Sequence, residues 1–267
     1  MNWFEALILG LIQGLTEFLP VSSSGHLELG KGLLGIETED SLAFTVLVHG
    51  ATVLSTIVVF RNDIWQLLKG LLRFQWNEET SYLAKIAISI IPIAIIGLFF
   101  KDSVEAVFES AAIILVVGLM LLLTAALLAF AYYKKAGDRE ISFWDALIIG
   151  VAQTIAIVPG LSRSGTTIAT GLLLGNRRSE VARFSFLMVL VPIIGENLLS
   201  LFDLNEAQAS ASATPGYVLI IGFIAAFVAG VAACKWMVKL VKSGKLIYFA
   251  IYCAIVAMIA ITGYMLG

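Results

Sequence analysis

Long apolar runs separated by short polar seams dominate the chain. Six runs, near 42–60, 82–100, 111–132, 181–202, 216–238 and 246–266, are long enough to span a membrane. A hydrocarbon core about 30 Å thick needs ~20 such residues in a helix. Two further stretches, 3–35 and 143–175, have a different pattern: a short apolar run, a Pro/Gly/Ser break, then a second short run. A broken helix at membrane depth is tolerated only where protein or a wet cavity satisfies the freed backbone groups. Both stretches therefore read as re-entrant helical hairpins. The expected fold is an all-α integral membrane protein with about six transmembrane helices plus two re-entrant hairpins that meet inside the membrane.

The two broken stretches are related. Residues 6–35 align without a gap on 146–175, and 11 of the 30 positions are identical, among them Gly10, Gln13, Ser22, Ser24 and Gly25 with their counterparts. This is an internal duplication. Three crossings separate the hairpins, so they enter from opposite faces and the halves form inverted repeats. Repeat 1 runs over about 1–135 and repeat 2 over about 141–267, within one membrane domain of 1–267. Paired interrupted segments of this kind point to a binding site where they meet.

Composition agrees and narrows the compartment. The chain is 60% hydrophobic and 13% charged, against about 25% charged for soluble domains. Cys234 and Cys253 lie in apolar segments, as core residues rather than a disulfide. Glu5 stands where a signal peptide would carry basic residues. No nucleotide-binding loop or soluble domain is visible, and no nucleic-acid partner is expected.

The 17 Lys and Arg are sorted by side. One face receives Arg61, Lys69, Arg73, Lys85, Lys134, Lys135, Arg139, Arg177, Arg178, Arg183, Lys235, Lys239, Lys242 and Lys245, while the other receives Lys31 and Lys101. Arg163 falls inside the second hairpin. The rich face is cytoplasmic by the positive-inside rule. Both termini and the mouth of the first hairpin then face outward. Residues 61–81, with Trp65 and Trp76, are expected along the cytoplasmic interface, and 203–215 form an outward polar loop.

The breaks carry the candidate chemistry. The second holds Gly160, Ser162, Arg163, Ser164, Gly165 and Thr167 at the start of a helix. Glycines permit close backbone approach, the helix N-terminus offers N–H groups, and hydroxyls with a guanidinium complete an anion cradle suited to phosphate. The first break has the same skeleton, Ser22, Ser23, Ser24 and Gly25, but Ser23 replaces Arg163 and His26 replaces Thr166. A hydroxyl opposite a guanidinium suits displacement at phosphorus, with His26 close enough along the helix to activate it. Gln13 and Glu17 are four apart and share a helix face. Glu17 reads as a ligand for Mg²⁺ or Ca²⁺, with Gln13 beside it, or as a proton handler. His49 and Glu196 are further intramembrane polar residues, read as packing or structural hydrogen bonding.

The Gln13–Glu17 pair, the following PVSSSGH and the PGLSRSGTT of the second half resemble the bacterial undecaprenyl-pyrophosphate phosphatase family, often called BacA or UppP. The resemblance covers essentially the whole chain. It implies hydrolysis of the lipid diphosphate released during cell-wall synthesis to the monophosphate carrier, with resistance to bacitracin. It further implies an inner-membrane location and an outward-facing site, and admits a homodimer. It assigns Gln13 and Glu17 to the first motif, Ser22, Ser23 and His26 to the catalytic loop, and Ser162, Arg163, Ser164 and Thr167 to phosphate binding. Many members have Glu where this chain has Gln13, which leaves Glu17 as the only carboxylate of that motif. Ser23 and His26 both stand as candidate nucleophiles. A lipid-phosphate or anion transporter would share the inverted-repeat architecture, but would not need Ser23, His26 and Glu17 in one loop.

Overall fold

The structure, a computed structural model, describes residues 1–36, 42–100, 107, 110, 112–135, 137–207 and 214–266, with only the backbone at 42, 196 and 199–207. The side chain of Glu196 thus lies outside the described residues. Among the described residues, eleven helices carry the fold. They are α1 (Trp3–Thr16), α2 (Ser23–Leu34), α3 (Leu42–Val59), α4 (Arg61–Leu71), α5 (Glu78–Phe99), α6 (Ile113–Tyr133), α7 (Phe143–Ile155), α8 (Arg163–Leu173), α9 (Arg178–Ala207), α10 (Gly216–Ser243) and α11 (Ile247–Leu266).

The four helices α5, α6, α10 and α11 are each long and apolar enough to cross a membrane, and each covers a run expected to span. The expected span 181–202 lies inside α9, whose 30 residues reach ~45 Å at 1.5 Å per residue. The run 42–60 differs from a simple crossing. Its helix stops at Val59 and the chain bends by 74° into α4. Phe60 breaks the helical dihedrals at the corner, and Arg61 Nη1 donates to the Val58 carbonyl there. The connector 61–81 is therefore a helix in its first half. Leu67 and Gly70 face inward, Trp65 and Leu68 face outward, and Lys69 Nζ sits 5.2 Å from the Trp65 ring. Asn77 then caps α5 and donates to the Gly70 carbonyl, so α5 begins four residues before the apolar run it contains.

Both broken stretches are helical hairpins, α1–α2 and α7–α8. Each opens on the same device, a capping box 140 residues apart in sequence: Asn2 with Glu5, and Ser142 with Asp145. These boxes satisfy helix N–H groups that have no intrahelical acceptor. Each second helix folds back on the first. A side chain at Gly30 would meet Leu9 and Ile12, and one at Gly171 would meet Ile149.

The hairpins pack crosswise between the halves. α1 lies against α10, and α7 lies against α5. Small residues permit both approaches: a Cβ on Gly10 or Gly14 would run into the Gly222 and Ala226 carbonyls, and one on Gly150 into that of Ser89. Such close backbone approach is how helices associate where lipid removes the hydrophobic driving force. α3 packs on α10 as α9 packs on α5, while α6 and α11 pack on each other. The breaks of both hairpins are thereby held at the centre. Phe18, Phe60, Phe184 and Phe186 are buried in the core beside the first of them.

Candidate functional site

The tips of the two hairpins touch. Ser164 Oγ donates to the Leu19 carbonyl at 3.2 Å, and Gly165 lies against Pro20. A Cβ on Gly25 would be 3.5 Å from the Gly160 Cα and 3.2 Å from the Val117 side chain. Gly160 itself has φ +92° and abuts the Val117 backbone. The space beside these three glycines is filled by protein. They let the tips close on each other and on α6, rather than leaving room for a ligand at their own Cα.

Each tip is fastened by a helix of the opposite half. The Ser162 N–H donates to Thr124 Oγ1 of α6 at 3.1 Å, and Cys253 Sγ of α11 donates to the Pro20 carbonyl at 3.4 Å. Ser22 and Ser162 are the N-caps of α2 and α8, accepting from the Gly25 and Gly165 N–H groups. Ser24 and Ser164 approach the capping hydroxyls at 3.4 Å. Thr167 donates back to the carbonyls of Arg163 and Ser164, within its own helix.

Ser23 and Arg163 are the first residues of α2 and α8. Across the first break, Ser23 Oγ donates to Glu17 Oε2 at 2.6 Å, within the short range of a charge-assisted O–H···O⁻ bond. Gln13 Nε2 donates to the same oxygen at 3.0 Å, so the four-residue spacing is realised as a contact. His26 does not complete this set. Its Nδ1 lies 2.8 Å from the Ser22 carbonyl and its Nε2 2.8 Å from the Tyr252 hydroxyl. Ser22 adopts φ +70°, which is uncommon for a residue with a side chain. That turn aims its carbonyl at both the backbone and ring N–H of His26.

Glu17 and Arg163 line one small cavity with Ser164, Thr52, Thr56 and Ser185. Arg163 and His49 are the basic side chains whose fields reach the Glu17 carboxylate. His49 Nδ1 is bonded to the Thr45 carbonyl one turn back. Thr52 and Thr56 donate to carbonyls of their own helix and so present lone pairs to the cavity, while the Ser185 hydroxyl is buried without a hydrogen-bond partner. The sequence reading missed these wall residues and Tyr252. The threonines had a signal, because two hydroxyls four apart in an apolar span mark a polar helix face.

A cation would find a thin protein shell. Among the described residues no group of three or more His, Cys, Asp or Glu could hold a metal. The Gln13 Oε1 atom is buried without a hydrogen-bond partner beside the Glu17 carboxylate, which already accepts from Ser23 and Gln13. This donor set fits an ion held mainly by phosphate oxygens, as Mg²⁺ often is.

Relatives agree over the full length. The 60% identical undecaprenyl-diphosphatase of Bacteroides fragilis matches over 262 residues, 98% of each chain. That of Parabacteroides distasonis has the same identity and coverage. The one from Christiangramia forsetii is 54% identical over 263 residues, again 98% of each chain. A family model described as bacitracin resistance protein BacA matches residues 6–259, and the chain belongs to that family.

Proposed function

We propose that the protein is an undecaprenyl-diphosphatase. It hydrolyses undecaprenyl diphosphate to undecaprenyl phosphate and phosphate, and so returns the lipid carrier to cell-wall synthesis and confers bacitracin resistance. The observation that carries the mechanism is the bond from Ser23 to Glu17, on a carboxylate that shares a cavity with Arg163.

In this reading Ser23 Oγ attacks the terminal phosphorus in line, and its proton passes to Glu17. The bond from phosphorus to the bridging oxygen breaks, and undecaprenyl phosphate leaves. Glu17 releases its proton with the departing undecaprenyl phosphate. Water then attacks the phosphoserine and gives a proton to Glu17, which passes it to the Ser23 oxygen as the Ser23–phosphorus bond breaks and phosphate departs. Arg163 and the α8 N-terminal N–H groups hold the phosphoryl oxygens as charge spreads over them. Ser22, Ser24, Ser162 and Ser164 build the two helix N-termini that face the phosphates. A Mg²⁺ or Ca²⁺ ion bound by Glu17 and Gln13 would supply neutralisation of the diphosphate charge. His26 stands one helical turn from Ser23, with its Nε2 bonded to the Tyr252 hydroxyl.

The polyprenyl tail lies between helices in the bilayer of the bacterial inner membrane. The inverted repeat, with the basic face cytoplasmic, opens the site outward. A transporter of lipid phosphates or anions would use Arg163 but has no role for the Ser23–Glu17 bond, which favours the enzyme.

The test is phosphate release from a polyprenyl diphosphate by the purified protein in detergent. Arg163→Ala should lose 10²–10³ in rate, the usual cost of one transition-state donor. Near-normal turnover by that variant would mean the phosphate cradle is misassigned.

A further inference from the structure

The tautomer of His26 follows from its partners. The Ser22 carbonyl can only accept, so the Nδ1 at 2.8 Å must carry the proton. The neutral ring then has its lone pair on Nε2, and the Tyr252 hydroxyl, 2.8 Å away, is the donor. The two rings also stack, with centroids 5.6 Å apart and planes 15° from parallel. Tyr252 comes from α11, in the other half of the molecule. Its register is fixed by its neighbour, because Cys253 bonds the Pro20 carbonyl in the break of the first hairpin. Tyr252 is 43% exposed, so it stands at the outer edge of the hairpin tips.

We propose that Tyr252 is a positioning residue for His26: with the Ser22 carbonyl on the opposite nitrogen, it fixes the tautomer and plane of the imidazole and holds the Nε2 lone pair at the outer edge of the site. The Ser22 bond on Nδ1 sets the tautomer, as a hydrogen bond on one ring nitrogen does for the other, and the Tyr252 hydroxyl holds the Nε2 lone pair in place. It also explains a strained backbone. The positive φ of Ser22 aims its carbonyl at the ring, and strain of this kind persists where surrounding bonds over-determine it. That the orientation of His26 matters to hydrolysis rests on the function proposed above and adds to the roles given there to Ser23, Glu17 and Arg163; the clamp on its ring does not rest on it.

The experiment separates the two. Protein labelled with ¹⁵N on histidine has two rings, His26 and His49, assigned with His49→Gln. In the intact protein in detergent, His26 should show a protonated Nδ1 and an unprotonated, hydrogen-bonded Nε2. Tyr252→Phe keeps the stacked ring and removes the hydroxyl, and should move the Nε2 resonance toward that of a free lone pair. Its kcat should fall roughly 3- to 10-fold, the size of one lost neutral hydrogen bond, with KM unchanged. Tyr252→Leu, which loses the stacking as well, should fall further. A proton on Nε2 in the unmodified protein would overturn the proposal. So would Tyr252→Phe leaving the ring resonances in place, or shifting them with kcat intact. If no variant hydrolysed diphosphate, nor the unmodified protein, while the resonances behaved as expected, the function would fail and the clamp would stand.

Discussion

Replacing Glu17 by Gln probes the proposed chemistry with little change of shape. The 2.6 Å bond from Ser23 marks the carboxylate as the group that receives the serine proton. A carboxamide oxygen at the same place still accepts from Ser23, so the resting geometry is kept. It has no useful basicity, however, and the proton has nowhere to go as the hydroxyl attacks. Loss of a general base typically costs 10²–10⁴ in rate, or about 2.7–5.4 kcal/mol at 1.36 kcal/mol per decade. Loss of the charge on the two hydrogen bonds from Ser23 and Gln13 costs stability about 1 kcal/mol each, which the thermal unfolding measurement checks. The assay is phosphate release at saturating polyprenyl diphosphate in detergent, with thermal unfolding measured alongside. We expect kcat to fall into that range with KM little changed. A folded Glu17→Gln variant within about fivefold of the parent rate, far short of a lost base, would remove Glu17 from the proton transfer.

Two further outcomes test the architecture. Gly14→Leu on α1 drives a side chain into the Ala226 carbonyl and the Ala229 Cβ of α10, and should lower stability by roughly 1–3 kcal/mol, the usual cost of overpacking, read as a drop in Tm in detergent. An unchanged Tm would refute the close α1–α10 contact. Cysteines at 137 and at 208, the latter outside the described residues, should be labelled from opposite sides of intact cells in a background with Cys234 and Cys253 replaced; only 208 should react with an impermeant reagent, and the reverse would invert the orientation.

The sequence made the two hairpins legible because their chemistry is local. Pro/Gly/Ser breaks mark where helices must stop, and the duplication at an offset of 140 repeats the pattern in the second half. The spacing of Gln13 and Glu17 likewise fixes one helix face. What it hid depends on chain reversal and distant neighbours. Ser23 lies six residues from Glu17 across a break, so helical periodicity could not pair them, and proximity along α2 favoured His26 instead. The partner that faces His26 Nε2 comes from 226 residues away. The glycines of the tips suggested room for a ligand, whereas a neighbouring helix and the other tip occupy it. The bend after Val59 was hidden for a different reason: an amphipathic segment that mixes Trp65 and Trp76 with Arg61, Lys69 and Arg73 resembles a connector until its inward face, Leu67 and Gly70, is seen to pack.

The central claim is that Ser23 carries the phosphoryl group between the two halves of the reaction. It is tested most directly in a single turnover, with polyprenyl diphosphate labelled in the terminal phosphate, rapid acid quench, and mapping of the modified peptide. The account expects labelled phosphate on Ser23 and none in Ser23→Ala. Label on His26, or full hydrolysis by Ser23→Ala, would contradict it.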